Sequence, residues 1–139
     1  KKIGFLIKQV FYLHEQHLNK QFSKFGLTAS QTFTLIYLFK SHDKGISVNQ
    51  KDIEKELDIS NPTVTGILNR LEVKGLITRV PCRHDARAKN IEVTEKALEL
   101  DKQLRIVFQQ SDEKLVESLS KEEIDNLQSY LIKILRSNS

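Results

Sequence analysis

The chain has 139 residues, which sets an expectation of one compact unit with at most a small appendage. Hydrophobic residues make up 39% and charged residues 29%, an ordinary balance for a soluble globular protein. No run approaches the roughly 18 unbroken apolar residues of a membrane span. The net charge of +4 is modest, but it is unevenly placed. Between Ser60 and Asn90 stand six basic residues, Arg70, Lys74, Arg79, Arg83, Arg87 and Lys89, against two acids, Glu72 and Asp85. The whole excess falls in this window. It fits an electrostatic footprint for a polyanion, or a chance cluster on a solvated face.

The start, Lys1-Lys2, is basic but has no small-residue cleavage site after it, so no signal peptide is expected. The single cysteine, Cys82, excludes an intramolecular disulfide framework and suits a reducing, cytoplasmic setting.

Lys2 to Phe25 reads as a long helix. Ile3, Leu6, Ile7, Val10, Phe11, His14, Leu18, Phe22 and Phe25 recur at helical spacing, and Gly26 stops it. Thr28 to Gln31 has the pattern of a capping box. It opens a second helix carrying Phe33, Ile36, Tyr37 and Phe39 and ending near Ser41. After the polar turn His42 to Gly45, Ser47 to Gln50 repeats the capping pattern before a short helix with Val48, Ile53 and Leu57 inward. Asp58-Ile59-Ser60 is a turn, and Asn61 is placed as N-cap with Pro62 at the first helical position. This fourth helix runs to about Lys74 and stops at Gly75. Val64, Ile67, Leu68 and Leu71 form its apolar stripe, with Thr65, Gly66, Asn69 and Arg70 mostly facing away.

Two short helices joined by a tight turn, the second with a polar and partly basic outer face, match a helix-turn-helix or a plain helical hairpin. The next residues favour the first. Leu76 to Val80 is rich in β-formers, Pro81 to Ala88 is polar and turn-like, and Lys89 to Val93 alternates as a strand. Two strands around a basic loop, directly after such a helix pair, make a winged helix. The second helix of the pair suits a major groove and the loop tip a neighbouring minor groove.

Thr94 N-caps a long fifth helix. Ala97, Leu104, Phe108, Ser111, Leu115 and Leu119 trace one stripe, with Leu98, Val107 and Val116 beside it. Ser120 to Glu123 is a further capping box. It opens a sixth helix with an apolar seam of Ile124, Leu127, Leu131, Ile134 and Leu135. The predicted fold is therefore mainly α with a small β-wing. Three long amphipathic helices flank a small centre, which suggests a homodimer, although an intramolecular bundle would use the same seams.

The run Asp85-Ala86-Arg87-Ala88-Lys89-Asn90-Ile91-Glu92-Val93-Thr94 resembles the wing signature of the multiple-antibiotic-resistance regulator (MarR) family, in which an Asp-x-Arg precedes a strand ending in hydrophobic-Thr. Ser60 to Thr65 and Leu71 to Ile77 resemble the same family's reading segment. The resemblance implies a winged helix-turn-helix over residues 28–93, with residues 1–26 and 94–139 as dimerisation helices. It implies a homodimer that binds palindromic operators in double-stranded DNA, usually to repress, and that small aromatic or phenolic ligands release. By position, it places Pro62, Thr63, Thr65, Gly66, Asn69 and Arg70 on the reading helix, Arg87 in the minor groove, and Asp85 as the acid that orients it. Ala97 departs from the family, which often has Gly there.

The chemistry of these residues fits such roles. Asn69 can pair bidentately with adenine and Arg70 with guanine or phosphate. Thr63 and Thr65 can donate to phosphate or touch a thymine methyl, and Lys89 adds charge at the wing. Asp85 serves DNA only by holding the Arg87 guanidinium.

Other signals leave alternatives. His14 and His17 could begin a metal site, as in zinc-sensing members of the family, but ligation needs about three or four convergent groups. Cys82 lies between cations that favour its thiolate, although peroxide sensing in the family typically uses a cysteine near the N-terminus. No phosphate loop, nucleophile motif or paired-carboxylate pocket suggests an enzyme, and no cofactor is expected. A winged-helix protein–protein adaptor is the alternative to a regulator. If an effector pocket exists, Phe11, His14, Phe33 and Tyr37 are its candidate lining, unless they are ordinary core.

Overall fold

The structure, a computed structural model, describes residues 1–82 and 89–139. Its elements run α1 (Ile3–Ser23), α2 (Ala29–Asp43), α3 (Gln50–Leu57), α4 (Asn61–Val73), β1 (Ile77–Pro81), β2 (Lys89–Val93), α5 (Glu95–Leu115) and α6 (Lys121–Ser137). This is the mainly α architecture with a two-stranded wing that the sequence predicts. The loop residues Asp85 and Arg87 lie outside the described residues.

The core sits where α2, α4 and the wing meet the second half of α1 and the first half of α5. Phe22, Leu35, Ile53, Leu68, Leu71, Ile77 and Leu104 are fully buried there. Phe22 bridges three helices. Its ring meets Phe33 of α2 edge-on at 6.0 Å and Phe108 of α5 at 5.7 Å. The buried face of α2 also carries polar groups. Thr32 and Thr34 donate to the carbonyls of Thr28 and Ser30, so neither hydroxyl is left unmet.

Three N-termini form as expected. Thr28 and Ser120 make reciprocal capping boxes with Gln31 and Glu123, and Thr94 accepts from the amide of Ala97. Two others are displaced. The cap of α3 is Asn49 paired with Asp52, two residues beyond the predicted Ser47. The cause is tertiary: the Ile91 amide donates to the Val48 carbonyl at 2.7 Å, and Asn49 bridges Asn90, so this segment is drawn onto the wing as extended chain before the helix starts. The N-cap of α4 is Ser60, one residue before the predicted Asn61. Asn61 donates its side-chain amide to Glu54 of α3 and so sits inside the first turn.

The turn between α3 and α4 passes through Asp58 at φ 52°, a left-handed conformation that a short polar side chain tolerates. α4 ends in a Schellman motif. Gly75 at φ 74° donates to the Glu72 carbonyl, and the Leu76 amide reaches back to Leu71. β1 and β2 pair antiparallel from Ile77 opposite Val93 to Pro81 opposite Lys89.

Two apolar surfaces depart from the predicted stripes. The first half of α1 is exposed, with Ile3, Phe5, Phe11 and Leu13 each more than half accessible, and only Leu18 and Phe22 of that helix are buried. No residue of α6 is buried, although Leu127, Leu131, Ile134 and Leu135 form one seam. Phe33, a candidate for pocket lining or core, is 43% exposed. No helix among the described residues is long and apolar enough to cross a membrane.

Candidate nucleic-acid interface

The outer face of α4 is held in place by α3. Gln50 donates its amide to Thr65 Oγ1 at 2.8 Å, and that hydroxyl donates on to the Asn61 carbonyl at 2.9 Å. Thr65 therefore uses its proton inside the helix pair, and only its methyl and one lone pair remain to meet a ligand. Gln50 and Glu54 are functional supports that the sequence reading missed. Their signal was weak, being ordinary polar residues in a short amphipathic helix.

Pro62, Thr63, Asn69 and Arg70 are exposed on α4, and Thr65 and Gly66 are half-buried. The Ser60 hydroxyl shares a hydrogen bond with Thr63 Oγ1 at 3.0 Å rather than capping the backbone, so the α4 N-terminus has no side-chain cap. Gly66 leaves a bare strip that Arg70 crosses. A Cβ placed there would stand 3.1 Å from Arg70 Nη1. Arg79 of β1 reaches Asn69 of α4, its Nη2 donating to Asn69 Oδ1 at 2.7 Å, with Glu72 at 3.9 Å from its Nε. This contact too was missed, because spacing along the chain does not show that β1 turns back onto the outer face of α4. Lys89 is exposed at the loop end of the wing, opposite Pro81. Arg79 thus ties the wing to the α4 face that carries Asn69 and Arg70.

The candidate effector residues are not gathered in one cavity. Phe33 lines a groove of about 550 Å³ between α2 and α5, together with Ile36, Phe39, Leu104, Arg105 and Phe108. His14 lines a separate groove of about 470 Å³ between α1 and α5. Tyr37 is packed against the core on the α3 side, where burial first and then Asp52 and Glu56 raise its pKa. Phe11 stands exposed on α1.

His17 of α1 shares a hydrogen bond with the buried Ser111 of α5 at 2.9 Å. Burial, followed by the charges of Lys114, His14, Lys24 and Lys20, lowers its pKa. The neutral imidazole is therefore favoured in the folded state. Its stabilising effect is complete above the unfolded value near 6.5 and is lost as pH falls toward the folded value. The melting temperature is expected to fall as the pH drops below about 6.5. His17→Gln should flatten that fall in a pH series of thermal melts, and an unchanged slope would remove His17 from the account. Cys82 is partly exposed at the end of β1.

Among proteins of known structure, MepR, a transcription regulator of the Staphylococcus aureus multidrug efflux pump MepA, is 29% identical over 100% of both chains, with a TM-score of 0.88. A MepR–DNA complex from the same organism is 31% identical over 99% of this chain and 98% of that one, with a TM-score of 0.77. Wild-type MarR from E. coli, in its apo form, is 25% identical over 97% and 98%, with a TM-score of 0.82. The MarR family model matches residues 25–88, from the end of α1 into the wing. With this likeness over its whole length, the chain belongs to the MarR family of winged-helix transcription regulators.

Proposed function

We propose that this protein is a sequence-specific DNA-binding regulator that acts as a homodimer on a palindromic operator, represses from it, and leaves it when a small aromatic ligand binds. The observation that carries the reading is the exposed face of α4 beside a basic wing. One helix fits a major groove, while the exposed Arg70 and Lys89 supply charge for the flanking phosphates. Pro62, Thr63, Gly66, Asn69 and Arg70 are the groove-facing set, with Thr65 chiefly a support. Asp85 and Arg87 are proposed as the wing pair from the sequence alone. The uncapped N-terminus of α4 adds backbone N–H groups suited to a phosphate.

The dimer is supported by the apolar faces of α1 and α6, which the single chain leaves open at both of its ends. Residues 28–93 would form the reading body, and 1–26 with 94–139 the dimer limbs. The aromatic groove at Phe33 and Phe108 suits a planar ligand; Arg105 at its rim is paired with Asp101 and Asp43, which line the same groove.

Fluorescence anisotropy on a duplex selected from a random pool tests the function. The logarithm of affinity should fall linearly with the logarithm of salt concentration, and a salt-independent affinity would favour the adaptor. Arg87→Ala should weaken binding by about tenfold or more while the dimer persists. Parent-like affinity would sink the wing assignment. Small planar aromatic ligands should release the duplex from the parent and not from Phe33→Ala.

A further inference from the structure

The contact between β1 and α4 fixes which atoms Asn69 can offer to a base. A guanidinium has donors only, so the atom of the Asn69 amide that faces Arg79 must be its oxygen. Arg79 Nη2 approaches that oxygen at 2.7 Å. Arg79 is itself restrained: its side chain is only 21% exposed, Glu72 lies 3.9 Å from its Nε, and that Nε is buried with no hydrogen-bond partner among the described residues. An arginine packed in this way does not swing freely, and while it stays the Asn69 oxygen is turned toward β1 with one of its two lone pairs taken. The Asn69 Nδ2 group has no protein partner among the described residues and sits on an exposed residue of the α4 face.

We propose that Arg79 is a positioning residue that orients the Asn69 amide and biases it toward donation, so that the base it faces is guanine rather than adenine. This rests on the DNA-reading function proposed above. An unrestrained asparagine recognises adenine by donating to N7 and accepting from the N6 amino group. With its oxygen turned toward Arg79 and one of its two lone pairs taken, the amide is poorly placed to accept from an adenine N6 amino group, while its N–H groups remain available to donate. Guanine presents two adjacent acceptors, N7 and O6, which match a side chain that chiefly donates. The pairing expected from sequence alone is thereby reversed, and the wing strand takes part in base choice without touching a base.

The test compares duplexes selected from a random pool by the parent, by Asn69→Ala and by Arg79→Met, with thermal melts of all three. The position whose preference disappears in Asn69→Ala identifies the base that Asn69 reads. The parent is expected to prefer guanine there. Arg79→Met removes the donor at similar length, and should move that position toward adenine by about tenfold while leaving the other positions unchanged. Arg79→Lys, which still donates to the oxygen, should restore guanine. A merely structural role for Arg79 would weaken every sequence alike. Adenine at this position in the parent, no position altered in Asn69→Ala, or an unchanged preference in a folded Arg79→Met would each overturn the proposal with DNA binding intact. The parent result decides the matter even if Arg79→Met does not fold. Failure of the parent to enrich any sequence would instead overturn the DNA-reading function itself.

Discussion

Leu131→Glu is expected to turn a dimer into a monomer without unfolding the chain. Leu131 lies on the α6 seam with Leu127, Ile134 and Leu135, and it is 42% exposed in the single chain. A helix with such a seam and no buried residue has a face made to be covered. In a two-fold assembly every substitution occurs twice. Fully burying an exposed leucine is worth about 1.5–3 kcal/mol, but only 42% of Leu131 is left to cover, so losing the pair costs roughly 1–3 kcal/mol. That is a weakening of about 10- to 10²-fold in the dimer dissociation constant, to which the penalty for a buried carboxylate adds. Helical content should hold, because α6 contributes no buried residue to the chain's own core. Sedimentation at micromolar concentration reads the outcome. A parent that is monomeric there, or a variant that stays dimeric, would refute the assembly.

The largest effect on folding is expected from Phe22→Ala. Phe22 has no exposed surface and joins α1 to both α2 and α5 through Phe33 and Phe108. Removing a fully buried phenylalanine costs about 3–5 kcal/mol, because the cavity left behind cannot fully collapse. For a chain of this length, that lowers the melting temperature by roughly 10 °C at fixed protein concentration. Its neighbour Phe33, partly in solvent, should cost clearly less when truncated. Equal losses from the two would mean that the aromatic cluster is not organised around Phe22.

Local chemistry made most of the fold legible. Thr28–Gln31, Thr94 and Ser120–Glu123 announce helix starts, because the groups that satisfy a free N-terminus lie within a few residues of it. The same logic failed at Ser47. That segment's backbone is claimed by Ile91, which lies far along the sequence. Periodicity likewise found the stripes of α1 and α6 but not what they face, since a helix side that packs inward and one that packs on a second chain have the same spacing. On the reading helix the sequence supplied Asn69 and Arg70. It did not supply Gln50 or Arg79, which act through contacts between elements. Knowing that Asn69 is exposed said little about which of its two polar atoms is available.

Lys74, the residue that closes α4, donates its ammonium to the Gly26 carbonyl and to Gln31, while its own carbonyl accepts from Lys96 of α5. One residue thus joins the exit of the reading helix to the α1–α2 turn and to the first turn of the long limb. In the proposed dimer, any shift of α5 against α4 would have to strain or break these hydrogen bonds, so the end of α4 moves with the limb rather than independently of it.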